Sequence, residues 1–580
     1  MVCWLVAAPF PKLPITALDE PARFPRSLRM SPKSRNPITL RQGQNIGQPA
    51  AEDDDEFLFT TFFENYAFKE ISDLSSPKFL LLGRTGTGKT AIIRRLEKER
   101  DRTIRIDPAE LSLQYISNSD IIRFFESAGV KLDLFYQLLW RHVIATELIK
   151  YHFKLEDEQR TRAFFAKFSD AFNHKRKRAM EYMRSFGSDF WLETDARITQ
   201  VTQKFESELN ASLEAAGPIT PKIGGRSFVS EEHKKDVVAR AQKIVDNVHL
   251  QQLSEVIDWL HDEVFDDPKK PHYVLIDDLD LNFASGQTKL WLVRALIETC
   301  KKFKKVSNLK IVISIRTDLL ERVFETTRDE GFQEEKYKGN ILNVEWLPGE
   351  LKEVVDRRLK ESIRRQYSNG GIGFDEIFPE RINQSESLPY IVQRTLHRPR
   401  DIIAFVNECI GQSVGSDRVT VAALRKAEEP YSADRFNALR DEWFGHYPLL
   451  DRACRPLIGR PRRFTLGAIT SGQIEDLMID LATAPAAETD RLGAAALRAG
   501  SYDGGKIQDF KIEWLDALYK VGILGLKTDA GTPVKWNYRG RQTLNSADVG
   551  DDTMTYVHPM LWRQLAIATK DQDTEPDSSQ

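Results

Sequence analysis

The sequence predicts an α/β fold in which a parallel sheet carries a phosphate-binding loop and helical regions follow the sheet. Three observations support this class. The apolar run 79–82 leads into a glycine-rich segment, GRTGTGKT at 83–90, and then into a helical pattern. Further apolar runs occur at 273–276, which ends in carboxylates, and at 309–315. Because short apolar strands separated by helical patterns are typical of parallel sheets, we expect a P-loop NTPase core.

The glycine-rich loop contains the residues of a predicted nucleotide site. Glycine allows successive backbone N–H groups to converge on one point, and a helix beginning near Gly88 adds the positive end of its dipole. We predict that Lys89 reaches the β- and γ-phosphates of ATP and that the Thr90 hydroxyl binds Mg²⁺. The predicted nucleotide-binding residues of the loop are Gly83, Thr85, Gly86, Thr87, Gly88, Lys89, Thr90 and Ala91.

The composition is that of an ordinary globular protein. At 580 residues the chain is too long for one core, so several domains are expected. A net charge of −3 gives no global attraction to nucleic acid or acidic membranes. The four cysteines form no C-x-x-C pair, which fits a reducing compartment and offers no metal-site spacing. Since no apolar run approaches ~18 residues and the start lacks a basic signal-peptide region, we expect a cytoplasmic protein.

Little regular structure is predicted for the segment before the first strand. Residues 1–50 are proline-rich and show no period, so we expect them to be disordered, or to include a mis-assigned start with Met30 as the real one. The aromatic residues between 57 and 66 allow two interpretations, contact with a nucleotide base or simple packing on the core.

A long helical territory interrupts the predicted core. The core is expected at 51–130 and 268–347, with a helical insert at 131–267 between them. In the insert, phenylalanines at 164, 168 and 172 recur at helical spacing, and the basic run at 175–178 is either a solvated helix face or a nucleic-acid contact.

Carboxylates and an arginine follow the later strands of the core. We predict that Asp277 enters the Mg²⁺ shell and that Asp278 acts as the general base that polarises the attacking water. Arg316, at the end of the strand 309–315, is a candidate for sensing the γ-phosphate; a surface arginine capping the next helix is the alternative.

Residues 348–446 are predicted to form an α-helical lid. A helix that begins in the segment 397–403 would bring Arg398 or Arg400 onto the phosphates, with Arg400 as the catalytic candidate, and would couple the lid angle to the nucleotide state. An ordinary helix start after Pro399 is the alternative.

The sequence pattern of the C-terminal region predicts a winged-helix domain. Helical patterns within 447–570 precede a short hairpin, in which 523–524 would be interrupted by Gly525 and pair with 534–538. The tail 571–580 is polar and expected to be disordered. Candidate contacts to DNA phosphates, which would make affinity fall steeply with salt, are Arg460, Arg462, Arg463, Lys535, Arg539 and Arg541.

Taken together, these segments resemble AAA+-related STAND and origin-recognition-type ATPases over about residues 45–130 and 270–567. Residues 313–318, ISIRTD, are similar to the strand-end T-T-R-D pattern of the STAND class, whose arginine reads the γ-phosphate. Residues 556–566 are similar to its M-H-D-L segment, with Pro559 in place of the aspartate. The resemblance implies that His558 is a nucleotide sensor; a helix-capping or core histidine is the alternative.

The chain also resembles a bacterial group of stand-alone P-loop ATPases often placed near antiphage defence genes. The resemblance implies an ATP- and Mg²⁺-dependent switch or assembly module that self-associates on ATP binding and works with an effector or sensor protein encoded elsewhere. An arginine supplied across such an interface would come from Arg322, Arg328 or the pair at 357–358.

The second function considered is an origin-recognition-like ATPase that binds DNA through the winged helix. A metabolic kinase is disfavoured because it needs neither a winged helix nor a large insert.

Overall fold

The structure, a computed structural model, describes residues 38–111, 113, 116, 118–155, 159–160, 163, 202–211, 220–222, 225–227, 231–246, 250–281, 283–284, 286–328, 334–367, 371–499, 504–528, 531–539 and 549–569. Several predictions lie outside the described residues. They concern residues 1–37, Phe164, Phe168, Phe172, the basic run 175–178, Arg541 and the tail 571–580.

Five strands between residues 80 and 343 form a parallel sheet with the strand order β2-β5-β6-β1-β7. Its strands are β1 (Leu80–Gly83), β2 (Thr103–Ile106), β5 (His272–Ile276), β6 (Leu309–Arg316) and β7 (Ile341–Asn343). The register places Gly83 opposite Arg316 on the neighbouring strand. Because the strands are parallel, the loops that follow β1, β5 and β6 leave the same edge of the sheet. The α/β class predicted from the sequence is confirmed.

Both faces of the sheet are covered by helices, which explains the apolar strands. Successive residues of β1 alternate: Leu80 and Leu82 belong to one apolar cluster and Leu81 to another. The first cluster includes helices from the insert and the later core, and the second includes the helix that follows the P-loop. The helices of the core are α1 (Asp55–Thr61), α2 (Tyr66–Ser72), α3 (Lys89–Glu99), α4 (Asp120–Ala128), α8 (Gly286–Phe303), α9 (Thr317–Thr326) and α10 (Glu335–Lys338).

The described part of the insert is largely helical. It contains α5 (Asp133–Phe153), α6 (Glu231–Asp246) and α7 (Leu250–Trp259), which continues as a π-helix over Leu260–Val264. The Trp140 indole donates to the Leu292 carbonyl oxygen at 2.8 Å, which joins α5 to α8. The described part of the insert also contains a small antiparallel hairpin, β3 (Thr220–Lys222) and β4 (Gly225–Ser227).

A helical subdomain follows the sheet and incorporates the N-terminal segment. Its helices and short strands are α11 (Pro348–Gln366), α12 (Phe374–Ile377), β8 (Arg381–Ile382), β9 (Ser385–Glu386), α13 (Ser387–Val392), α14 (Pro399–Gly411) and α15 (Val421–Trp443). Leu40 N–H donates to the Ser416 carbonyl oxygen, and Gly415 N–H donates to the Leu40 carbonyl oxygen, each at 2.8 Å. Ile38, Leu40 and Ile46 are buried in the same apolar cluster as these helices.

The prediction of disorder for residues 1–50 is therefore wrong for residues 38–50. These few apolar residues are irregularly spaced, so the segment has no periodic pattern even though its apolar side chains are buried.

The C-terminal region combines helices with a three-stranded antiparallel sheet of order β10-β12-β11. Its elements are α16 (Leu450–Ala453), β10 (Arg463–Thr465), α17 (Ser471–Ala482), α18 (Arg491–Ala499), α19 (Gly504–Val521), β11 (Leu524–Lys527) and β12 (Met554–Val557). The ladder partner of β11 is β12; residues 534–538 contribute a single bridge between Leu526 and Lys535. The predicted hairpin is corrected accordingly, and the winged-helix assignment stays a prediction.

Gly525 lies within β11 and does not interrupt it. A Cβ atom at this position would lie 2.7 Å from the Trp536 ring, so the close approach of that ring accounts for the glycine. Among the described helices, none combines the length and apolar character needed to cross a membrane.

Candidate functional site

A cavity lies at the edge of the sheet where β1, β5 and β6 end. Its walls come from four parts of the chain: the N-terminal segment with α1, the P-loop, the strand ends and the helical subdomain. The lining residues are Gln48, Pro49, Ala51, Glu52, Asp54, Leu58, Thr85, Gly86, Gly88, Lys89, Thr90, Ala91, Asp277, Asp278, Asp280, Ser314, Arg316, Arg358, Pro399, Arg400 and Ile403. Most of the predicted site residues are therefore brought together.

The P-loop adopts the backbone that its glycines permit. Gly86 and Gly88 have φ of +80° and +91°, a region that favours glycine, and Gly88 immediately precedes α3. The Thr87 hydroxyl donates to the Arg84 carbonyl oxygen at 2.9 Å, and the Trp346 indole donates to the Thr87 carbonyl oxygen at 2.8 Å. Thr87 therefore stabilises the loop from inside it, and a Cβ atom on Gly83 would collide with the Thr87 hydroxyl.

Lys89 is a buried cation facing carboxylates. It is the first residue of α3 and its side chain donates to the Arg84 carbonyl oxygen at 3.2 Å. Burial lowers the pKa of Lys89, while Asp277 and Asp280 oppose that shift. An ammonium group in such surroundings gains strongly from a polyphosphate placed beside it.

Asp277 and Thr90 fit a magnesium ion. Asp277 is 4% exposed, and among the described residues its Oδ2 atom has no hydrogen-bond partner. A buried carboxylate oxygen without a partner is unfavourable. A hard divalent cation that also contacts the Thr90 hydroxyl and substrate phosphates would satisfy this oxygen.

Asp278 has the properties of a general base. Its φ of +61° is uncommon for a residue other than glycine, and such conformations concentrate at functional sites. Burial, followed by the neighbouring Asp277, raises the pKa of Asp278 to about 6, against the opposing effect of Arg105. The Arg105 guanidinium lies 3.4 Å from Asp278 Oδ2. A carboxylate with this pKa can accept a proton from water near neutral pH.

Arg316 is not a surface arginine. Its side chain is 17% exposed, lines the cavity and makes two hydrogen bonds of 2.9 Å to Asp318. It also contacts Asp280 at 3.3 Å and donates to the carbonyl oxygen of Glu442. The guanidinium is thus placed at the cavity but is held by acceptors of the protein.

The two lid arginines have different positions. Arg400 lines the cavity, where its backbone N–H donates to the Gly86 carbonyl oxygen at 3.3 Å. Arg398 is buried, forms ion pairs with Asp401 at 2.7 Å and Glu442 at 2.9 Å, and donates to the Thr85 carbonyl oxygen at 2.6 Å. Arg400 therefore remains the candidate for phosphate contact, and Arg398 holds the backbone of the P-loop.

Sequence reasoning missed a buried ion pair beside the cavity. Arg358 bonds Asp54 at 2.6 Å and donates to the Ile46 carbonyl oxygen at 3.0 Å. At 6% exposure, and paired within its own chain, it does not suit the role of an arginine supplied across an interface. A lone carboxylate 304 residues away gives no local signal for such a pair.

The aromatic residues near the P-loop mostly pack on the protein. Leu58 lines the cavity, whereas Phe57 is buried beneath it and Tyr66 is 67% exposed. Phe62 packs edge-on against Phe68 at 5.1 Å. Packing, the second interpretation offered by the sequence, fits these positions better than contact with a base.

His558 is not among the described residues that line the cavity. Its Nδ1 atom accepts from Met560 N–H at 3.1 Å, and its Nε2 atom lies 2.9 Å from the Tyr538 hydroxyl. The side chain is fully buried, and burial lowers its pKa. These contacts fit the alternative offered by the sequence, a core histidine that caps the short helix Pro559–Leu561, and the nucleotide contact stays a prediction.

Two predicted DNA contacts are engaged within the chain. The Arg460 guanidinium donates to the carbonyl oxygens of Pro456 at 2.6 Å and Ala468 at 3.0 Å. The Arg539 guanidinium lies 2.9 Å from Nε2 of His397. These arginines therefore serve internal contacts in this arrangement.

Comparison with known proteins gives distant likenesses. Residues 349–440 match the family described as the FunZ-associated C-terminal helical domain. The chain is similar to the putative transposon gamma-delta 80.3 kDa protein of Escherichia coli (strain K12), with 18% identity over 538 residues, which is 90% of this chain and 67% of that protein. Among solved structures it is similar to the Walker-type ATPase PABY2304 of Pyrococcus abyssi, with 13% identity, a TM-score of 0.36, and coverage of 90% of this chain and 98% of that chain.

Proposed function

We propose that the protein binds Mg-ATP, hydrolyses it, and uses the nucleotide as a conformational switch of the AAA+/STAND-like kind. The observation that carries the proposal is the pairing, in one cavity, of the buried ammonium of Lys89 with the buried Asp277 Oδ2 that has no partner among the described residues. Polyphosphate and Mg²⁺ would satisfy both groups at once.

The opposite wall of the cavity suits a nucleotide base. Pro49, Leu58 and Ile403 offer apolar surface, and Gln48 offers polar atoms for its edge. Because this wall comes from the N-terminal segment and the helical subdomain, the base would sit between two parts of the chain. That position gives the nucleotide a means of changing their relative arrangement.

The hydrolytic step uses groups of this chain in defined roles. Water attacks the γ-phosphorus, its proton passes to Asp278, and the bond to the β-phosphate oxygen breaks to give ADP and phosphate. Mg²⁺ held by Thr90 and Asp277 would neutralise part of the phosphate charge. Arg316 and Arg400 line the cavity and stabilise the negative charge of the transferred group.

The proposed switch depends on the cavity being formed by different parts of the chain. A ligand shifts a conformational equilibrium only by its different affinity for the two states. Arg400 belongs to the helical subdomain and Arg316 to the sheet. A γ-phosphate that contacts both therefore binds more tightly when the subdomain lies against the sheet than when it has moved away. Self-association in ATP, and binding to an effector or sensor protein, are proposed as consequences of that change.

An ATP-binding and turnover experiment tests the proposal. Purified protein is titrated with labelled ATP in millimolar Mg²⁺, and phosphate release is measured in the same preparation. We expect Lys89→Ala to abolish binding, and Lys98→Ala, which removes an exposed lysine from the same helix, to leave it unchanged. A folded wild-type protein that takes up no ATP would rule the proposal out.

The DNA-binding alternative receives less support, because Arg460 and Arg539 are engaged within the chain. Mobility shift of duplex DNA at two salt concentrations tests it directly.

A further inference from the structure

Glu442 links three parts of the chain around the P-loop. It lies in the last turn of α15 and is 7% exposed. Its carboxylate pairs with Arg84 of the P-loop at 3.1 Å and with Arg398 at 2.9 Å. Its carbonyl oxygen accepts from Arg316, the cation at the end of β6.

The same contacts bring the C-terminal region onto the P-loop. Arg84 also donates to the carbonyl oxygen of Val521, the last residue of α19, at 2.8 Å. A Cβ atom on Gly522 would lie 3.0 Å from the Arg84 guanidinium, so the backbone there approaches closely. Arg84 is therefore held between Glu442 on one side and the end of α19 on the other.

This junction is incompletely satisfied. Among the described residues, three buried polar atoms here have no hydrogen-bond partner: Arg84 Nη1, Nε1 of Trp443, which packs on Arg84, and Nε2 of His446, which packs on Trp443. Permanently packed interiors pair nearly all such groups. These three atoms lose no hydrogen bond if Arg84 moves.

We propose that Glu442 is a positioning residue that couples nucleotide state to the C-terminal region; the inference rests on the proposed ATP site. In the arrangement described here, Glu442 holds the C-terminal region on the P-loop through Arg84. A γ-phosphate in the cavity draws Arg316 away from the Glu442 carbonyl oxygen, loosens the Arg84 and Arg398 pairs, and releases the end of α19.

The direction follows from the chemistry of the acceptors. A phosphate oxygen carries charge and accepts from a guanidinium more strongly than a neutral carbonyl does. ADP lacks the γ-phosphate, so it leaves the contact between Arg316 and Glu442 in place. In this proposal ATP binding breaks the contact between Arg316 and Glu442 and ADP binding does not, so part of the free energy of ATP binding is used to release the junction.

Glu428 provides a matched control. It lies in the same helix, is also 7% exposed, and also pairs with two arginines, Arg394 at 2.9 Å and Arg563 at 3.2 Å. It does not line the cavity, and among the described residues its ion pairs are with arginines outside the P-loop. Glu442→Gln and Glu428→Gln therefore remove comparable buried charges, and only the first acts on the proposed coupling.

The experiment measures the affinities of the full chain for ADP and for a non-hydrolysable ATP analogue, together with hydrogen exchange of residues 518–527. In wild type, the analogue should raise exchange at 518–527 above the level seen with ADP. Glu442→Gln should show high exchange without nucleotide, and its ratio of analogue affinity to ADP affinity should rise by about fivefold or more. Glu428→Gln should lower the unfolding temperature and leave the ratio unchanged.

The results that would contradict the coupling differ from those that would contradict the ATP site. If both nucleotides bind wild type but exchange at 518–527 is the same in each, the coupling is absent although the ATP site stands. If Glu442→Gln weakens both nucleotides equally, or Glu428→Gln changes the ratio as much, Glu442 has only a structural role. If neither nucleotide binds folded wild type, the ATP site itself is refuted along with the inference.

Discussion

Gly86 lies so close to Arg400 that a Cβ atom on the glycine would be 2.7 Å from Cβ of the arginine. Arg400 is in the first turn of α14, and its backbone N–H donates to the Gly86 carbonyl oxygen. The helical subdomain thus contacts the P-loop directly at the start of α14. Any residue larger than glycine at position 86 must push the two apart.

The first prediction concerns this contact. Gly86→Ala should lower the free energy of unfolding by about 2–5 kcal/mol, because the positive φ and the collision with Arg400 both add cost. It should also abolish ATP binding. Gly43→Ala is the matched control: Gly43 has φ of +77° with nothing within 4 Å of a Cβ atom, so only about 1 kcal/mol should be lost and ATP binding kept. Denaturant unfolding and ATP titration of both variants decide between these outcomes.

The second prediction concerns Asp278. Asp278→Asn should keep ATP affinity and slow turnover by about 10²–10⁴-fold, because the amide cannot accept the proton of the attacking water. In wild type, the ionised base is lost as pH falls through its pKa of about 6, so turnover should fall about tenfold per pH unit below that value. Arg105→Gln removes a cation that lowers this pKa and should move the pH profile upward. Equal turnover in wild type and Asp278→Asn would remove Asp278 as the base.

The third prediction concerns the magnesium ligand. Asp277→Asn should weaken the affinity for Mg²⁺ in the presence of ATP by about 10- to 100-fold, because a neutral amide replaces a buried charged ligand. Asp280→Asn should have a smaller effect, since that carboxylate is already in contact with Arg316 at 3.3 Å. Titrating Mg²⁺ at fixed ATP measures both, and a larger effect of Asp280→Asn would reverse the assignment.

The fourth prediction concerns stability at acid pH. Burial lowers the pKa of His397 to about 4 and of His446 to about 3, so the unfolded chain binds protons that the folded chain does not. Their stabilising effect is present above pH ~6.5, the ordinary value, and declines as pH falls below it. The unfolding temperature should therefore drop between pH 7.5 and pH 5, and His446→Leu should reduce the pH dependence by up to about one proton. An unchanged slope in His446→Leu would contradict this account.

The sequence predicts the core of the site well because that information is local. The strand β1, the P-loop and the start of α3 are contiguous, so one motif specifies the turn, the cation and the helix. Asp277 and Asp278 likewise end an apolar strand, and Arg316 ends another. In each case a short stretch of sequence determines both the element and the chemistry at its end.

Other features could not be predicted because they depend on distant partners. Glu442 is a single carboxylate near the end of a long helix, and nothing nearby indicates that Arg84 and Arg398 will meet it. From the sequence alone, Gly525 indicates a break in the strand. In the structure the Trp536 ring lies over this position, which explains the glycine. His558 matches a motif in spacing, but the surrounding fold buries it, and it is not among the described residues that line the cavity.

The backbone contacts between Leu40 and residues 415–416 also constrain how the chain is made. During synthesis, the N-terminal segment emerges early, but the residues that it bonds are made more than 370 residues later. One wall of the cavity, which includes Gln48 and Pro49, is therefore completed late, after the sheet has had time to form. Nascent chains that stall before residue 416 would carry a P-loop without its full enclosure, so we expect competence to retain nucleotide only after that point of the chain has been synthesised.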